Sequence, residues 1–195
     1  SGATHNALIC LRDGSYIELM APTGQPAEPG TADYSPMLQR EGFAGYALYS
    51  DDFDSDVAAM RARGVELSAI TRGSRQRSDG QTIQWRAVMQ PHTMSPFIIT
   101  DDTPRNLRVP DDAATTTQAN GVHAITGVVC IARDVKRGAA HYAQMLGIKA
   151  EHVPGGVHFA LPGTTIISAT EQPPQRPEPR PRAAYQSLRV QRQLS

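Results

Sequence analysis

The chain has 195 residues, with 19 basic and 19 acidic side chains and a formal charge of zero. That balance excludes a dedicated, highly basic nucleic-acid binder, and no apolar run approaches the roughly 20 residues that cross a bilayer. Hydrophobic residues make up 39 %, and 16 glycines with 15 prolines describe a loop-rich chain with a modest core.

The first segment reads as a hairpin. Residues 4–11 alternate, Asp13-Gly14 is a two-residue turn signal, and residues 15–21 alternate again. Residues 22–36 are a loop rich in Pro, Gly, Ala and Thr. Residues 43–49 form a strand. Asp52 or Asp54 caps the helix that follows, Val57 and Met60 give its apolar face, and Gly64 stops it. Residues 65–70 read as a strand and 71–80 as a polar, arginine-rich loop. Residues 82–89 alternate, with Ile83, Trp85, Ala87 and Met89 on one face, and 96–100 are a short last strand.

Residues 103–123 lack periodicity and read as a linker. The pattern then returns. Residues 125–132 are a strand, Asp134 caps a helix with Ala139, Tyr142, Ala143 and Leu146 on its face, and Gly147 ends it. Residues 148–153, 157–161 and 165–169 are three strands. The chain from 171 to 195 is a proline-rich tail in which 184–190 is either a frayed end or one lone strand. The domain reading is therefore 1–102, a linker at 103–123, a further module at 124–170, and the tail.

The order strand, helix, strand, strand, strand occurs twice. Gly45 and Gly127, Asp52 and Asp134, and Ala58 and Ala140 each stand 82 residues apart, which points to a structural repeat. The opening hairpin then matches the last two strands of an earlier unit, with about forty residues of that unit expected before it. Cys10 and Cys130 lie in apolar strand patterns and read as buried thiols in a reducing compartment, with a disulfide as the alternative. No basic region precedes the apolar residues 8–11, so no signal peptide is expected and the expected location is cytoplasmic.

Several stretches resemble a known family. They are Ala3-Thr4-His5-Asn6-Ala7-Leu8 and Asp13-Gly14-Ser15-Tyr16-Ile17-Glu18-Leu19, then Arg75-Gln76-Arg77-Ser78-Asp79-Gly80 with Trp85. Pro96-Phe97-Ile98-Ile99 followed by Thr103-Pro104-Arg105 completes the set. Together they are similar to the glyoxalase-like branch of the vicinal oxygen chelate superfamily, over residues 3–170. The resemblance implies an α+β fold of repeated βαβββ modules that form open, curved mixed sheets around a cleft. It also implies a divalent metal ion as cofactor. The family's usual first-strand histidine would precede this chain, so a complete metal site is not expected within it.

Candidate site residues follow. Paired about Asp13-Gly14, Glu18 would face Ile9, and His5, Ala7, Ile9, Tyr16, Glu18 and Met20 would share a face. A carboxylate on so apolar a face needs a partner or a ligand. By the resemblance Glu18 is a metal ligand or catalytic base; otherwise it is a solvated or arginine-paired glutamate at an open cleft. His5 either hydrogen-bonds a substrate or fixes a loop. Arg75 and Arg77 could clamp an anionic group bidentately or belong to a solvated loop, and Trp85 is a cleft wall or a core residue. His92, His123, His141, His152 and His158 show no tight ligand spacing.

The resemblance implies an enzyme of lyase, isomerase or dioxygenase type, metal-assisted, acting on a small oxygenated or anionic metabolite. The alternative is a binding protein of the same fold that sequesters a small molecule. The expected partners are that small molecule and a second copy of the chain. The hairpin's apolar face needs a cover: a partner chain, residues before the hairpin, or the strand at 184–190.

Overall fold

A computed structural model describes residues 3–26, 38, 41–91, 95–161, 166–171 and 191–193, the last two stretches as backbone only. Strands β1 (Thr4–Cys10) and β2 (Tyr16–Pro22) form the expected hairpin. Its register differs from the expected one, since Leu8, and not Ile9, stands opposite Glu18. The cause lies in the loop. Asp13 Oδ1 accepts from the Ser15 amide at 3.0 Å and from its hydroxyl at 2.5 Å, and the Leu11 amide donates to the Ser15 carbonyl at 2.9 Å. This side-chain turn takes in Leu11 to Ser15, where two residues were expected. A one-residue slip moves a strand's side chains to the other face. Thr4, Asn6 and Leu8 therefore join Tyr16, Glu18 and Met20, and His5, Ala7 and Ile9 turn away.

The next unit comprises β3 (Ala47–Tyr49), α1 (Phe53–Ala62), β4 (Thr71–Gln76), β5 (Thr82–Val88) and β6 (Phe97–Asp101). Helix α1 buries Phe53, Val57 and Met60, spaced to face one side. The expected strand at 65–70 is irregular, and the strand lies one step later, in the segment read as a polar loop. β4 is the edge of its sheet. An edge strand with one face in a cleft needs no apolar alternation, so it carries little strand signal. The sheet order is β11-β3-β6-β5-β4, where β11 (Gln191–Gln193) runs parallel to β3. The lone strand expected at 184–190 lies outside the described residues.

Two short helical turns follow, α2 (Arg105–Arg108) and α3 (Ala113–Thr116), in the stretch read as a linker. Asp112 caps α3 by accepting from the Thr115 amide at 3.0 Å. The last unit is β7 (Gly127–Ala132), α4 (Val135–Leu146), β8 (Glu151–Val153), β9 (Gly156–Ala160) and β10 (Ile166–Glu171). Asp134 caps α4 by accepting from the Arg137 amide at 2.9 Å.

The sheet order β7-β10-β9-β8 repeats β3-β6-β5-β4, and in each the first and last strands run parallel. The two helices begin at Phe53 and Val135, the same spacing that the sequence repeat shows. Both helices feed one core. Leu48, Val57, Met60 and Ile98 pack there with Tyr142, Met145, Val157 and Phe159. Arg63 at the end of α1 donates to the carbonyls of Gln144 (2.7 Å) and Met145 (2.6 Å) on α4.

Candidate functional site

The other face of the β3-to-β6 sheet carries a second apolar cluster of Ala47, Ala87, Phe97 and Ile99, with Tyr49, Trp85 and Met89 against it. The hairpin lies over this face. Between them is a pocket of about 100 Å³, lined by Thr4, Asn6, Leu8, Tyr16, Glu18 and Met20 from the hairpin and by Arg75, Trp85, Ile99 and Arg108 opposite. The hairpin face that carries Leu8, Tyr16 and Met20 is thus set against a sheet of the same chain.

Glu18 lines this pocket and is only 6 % exposed. The Asn6 amide donates to its Oε1 at 2.7 Å. Asn6 can do so because the register places it diagonally across the hairpin on the same face.

Arg108, opposite in the pocket lining, is buried as well. Its Nε and Nη2 meet Asp101 Oδ1 and Oδ2 at 2.5 and 2.9 Å, a two-pronged ion pair. Its Nη1 donates to the Tyr16 hydroxyl oxygen at 2.7 Å. Burial opposes the charge on Arg108, but Tyr16 and the Asp101 carboxylate outweigh it, and the pKa rises. Asp101, whose side chain is 1 % exposed, is also 3.5 Å from Arg105 Nη1. Arg105 lies 3.9 Å over the Tyr49 ring and donates to the Gly14 carbonyl of the hairpin loop at 3.0 Å.

Of the sequence candidates, the pocket gathers Glu18, Arg75 and Trp85. His5 is exposed on the opposite face, because the longer loop turned it away, and Asn6 takes the place given to it. Arg77 also stands off the pocket: it donates to the Leu107 carbonyl and pairs with Asp79 at 3.0 Å, tying the β4–β5 turn to α2. Among the other histidines, His141 bonds Ser95 at 2.6 Å and His123 lies 3.3 Å from the Gly121 carbonyl. His92 lies outside the described residues.

Sequence reading missed Asn6 and Arg108. Arg108 comes from a stretch without periodicity, where only its seven-residue distance from Asp101 carries any signal.

The metal expected from the resemblance finds no support in these donors. Glu18 is the one carboxylate lining the pocket, and its charged companions there are two guanidinium groups. Among the described residues no three His, Cys, Asp or Glu side chains converge. Guanidinium and amide donors suit an anion or a polarised oxygen, not a cation.

Comparison with known proteins agrees with this architecture. No curated protein matches the chain. A solved structure described as a hypothetical protein from Staphylococcus aureus is similar, with a TM-score of 0.65 and 12 % identity, over 98 % of this chain and 86 % of that one. At that identity it shows the fold alone, and the fold is the βαβββ arrangement of the vicinal oxygen chelate type. The family model described as Glyoxalase-like domain matches residues 1–147. The chain belongs to the glyoxalase-like domain family.

Proposed function

We propose that the protein is an enzyme acting on a small oxygenated or anionic metabolite, with Glu18 as the group that moves a proton. One observation carries this reading: a carboxylate 6 % exposed lines the same small pocket as Arg75 and Arg108. A buried carboxylate beside guanidinium groups suits proton removal from a carbon next to a carbonyl. Glu18 takes the proton, and the C–H electron pair moves onto the carbonyl oxygen. Arg75 holds the resulting enolate oxygen by a charge-assisted hydrogen bond, and the charge of Arg108, fixed on Asp101 and Tyr16, favours it. The proton then returns to carbon, which gives isomerisation, or a leaving group departs, which gives elimination.

The pocket's size supports a small substrate. A closed apolar cavity of about 150 Å³ takes up benzene, and this pocket is smaller and lined partly by charge. A homodimer and a cytoplasmic location belong to the same reading. Val129 (68 % exposed) and Ile131 (50 %) stand on edge strand β7, where a second copy could add. Both cysteines are free and buried, as a reducing compartment favours. No helix among the described residues is long and apolar enough to cross a membrane.

The test is proton exchange in D2O with pyruvate and 2-oxobutyrate, followed by NMR. The expected result is loss of the C3 proton signal, slowed about a hundredfold in Glu18→Gln. Tight binding of these acids without exchange favours the sequestering alternative. Equal exchange by the parent and Glu18→Gln rules out Glu18 as the base.

A further inference from the structure

We infer that Gly73 is a specificity-determining residue, and that the pocket selects an anion with a planar body, an aromatic or conjugated carboxylate, stacked on the indole of Trp85. This deepens the small-anion reading above and rests on it. Gly73 on β4 stands directly opposite Trp85 on β5. A Cβ built on Gly73 would run into Cε2, Nε1 and Cζ2 of the indole. The ring therefore lies on the bare backbone of β4, in space that any other residue would fill. Glycine inside a strand weakens it and marks a close approach by another group; here that group is Trp85.

One side of the indole is thus taken up by β4, and Trp85 also packs against the cluster of Ala47, Ala87, Phe97 and Ile99. Trp85 is nonetheless only half-buried and lines the pocket. Arg75 stands two residues along β4 on the same face as Gly73. A flat ring beside a guanidinium fits a flat ligand with an anionic end. Aromatic stacking holds the ligand's body, and Arg75 takes the carboxylate. A saturated ring of equal size carries the same charge but meets the indole through its hydrogens and loses the close stack. The roughly 100 Å³ of space is less than a benzene-binding cavity offers, so such a ligand is only partly enclosed.

Trp85 is the single tryptophan of the chain, so intrinsic fluorescence reads the pocket directly. The experiment titrates the full chain with benzoate, cyclohexanecarboxylate and acetate. Benzoate is expected to change Trp85 emission and to bind about tenfold more tightly than cyclohexanecarboxylate. In Gly73→Ala, shown to be folded by circular dichroism, that preference should fall below about threefold while acetate affinity stays within about twofold. Should Gly73→Ala fail to fold, Trp85→Leu, read by calorimetry, should lose the preference and Trp85→Phe should keep most of it. Equal binding of benzoate and cyclohexanecarboxylate by the parent overturns the planar class and leaves the small-anion site standing. A preference that survives in Gly73→Ala, or in Trp85→Leu, overturns the role of the Gly73–Trp85 pair. Failure of all three carboxylates to bind removes the small-anion reading, and this proposal with it.

Discussion

The hydroxyls of Tyr46 and Tyr142 meet at 2.7 Å inside the core, 96 residues apart in the chain. Cys130 Sγ lies 3.1 Å from the Tyr142 oxygen and 3.8 Å from that of Tyr46. These three groups join the two repeats through polar contacts in an otherwise apolar core. Tyr142→Phe leaves the Tyr46 hydroxyl without its short partner and should cost about 1–3 kcal/mol. The double variant Tyr46→Phe/Tyr142→Phe should cost less than the sum of the single changes. Urea unfolding at pH 7 checks this, and strictly additive costs count against it.

The same pair gives a pH dependence. Burial is the largest cause raising both tyrosines, with Tyr142 and Cys130 adding to it for Tyr46 and Cys130 for Tyr142. An unfolded tyrosine releases its proton near pH 10, while the folded chain retains both. Their contribution to stability is therefore complete below about pH 10 and is lost as the pH rises beyond it, at about 1.4 kcal/mol per unit for each tyrosine. Unfolding free energies from pH 8 to 11 should fall more steeply for the parent than for the double Phe variant.

Asp101 serves two arginines, and one of them is buried with it. Asp101→Asn should destabilise the chain by about 3 kcal/mol, because it leaves the Arg108 guanidinium buried without its counter-charge. Arg105, with a side chain 25 % exposed, should tolerate change to Lys at a cost of about 1 kcal/mol or less. Denaturant midpoints of the two variants decide, and similar losses for both would contradict the distinction.

Asn6→Ala tests how Glu18 is held. The amide that donates to Oε1 at 2.7 Å orients the carboxylate and does not take the proton. Its loss should slow proton exchange about tenfold, equivalent to one charged hydrogen bond, and leave the affinity for the acid within about threefold. A change in affinity as large as the change in rate would make Asn6 a binding group instead.

Gly147→Ala tests the junction of the two helices. Gly147 has φ 71°, and a Cβ there would stand 3.0 Å from Cζ and Nη1 of Arg63. The left-handed backbone alone costs a residue with a side chain about 1–2 kcal/mol. Thermal unfolding should show a loss of that order, with the pocket's affinity for benzoate unchanged.

The repeat was legible because its punctuation is local. Asp134 and Gly147 bracket α4 by capping chemistry that a sequence displays directly, and the apolar spacing between them is helical. The hairpin register was not legible. It depends on whether Asp13 bonds Ser15, and a one-residue difference there moves His5 out and brings Asn6 in. β4 was hidden because an edge strand facing a cleft can be polar throughout. Glu18 and Trp85 could be found as unusual residues on patterned strands, and Arg75 as one of the arginines of a polar stretch. Arg108 could not, since nothing local marks an arginine as one whose carboxylate and phenol partners wait on β6 and β2.

Arg105 and Arg108 both hang from Asp101, and each reaches the same end of the hairpin, at the Gly14 carbonyl and the Tyr16 hydroxyl. That end is bolted to the sheet by charge-assisted bonds, while Thr4 and Pro22 pair at the far end. The loop end of the hairpin therefore cannot part from the sheet without separating a buried ion pair from its phenol and carbonyl acceptors. Backbone amides beside Tyr16 are expected to exchange slowly with solvent, and faster in Asp101→Asn.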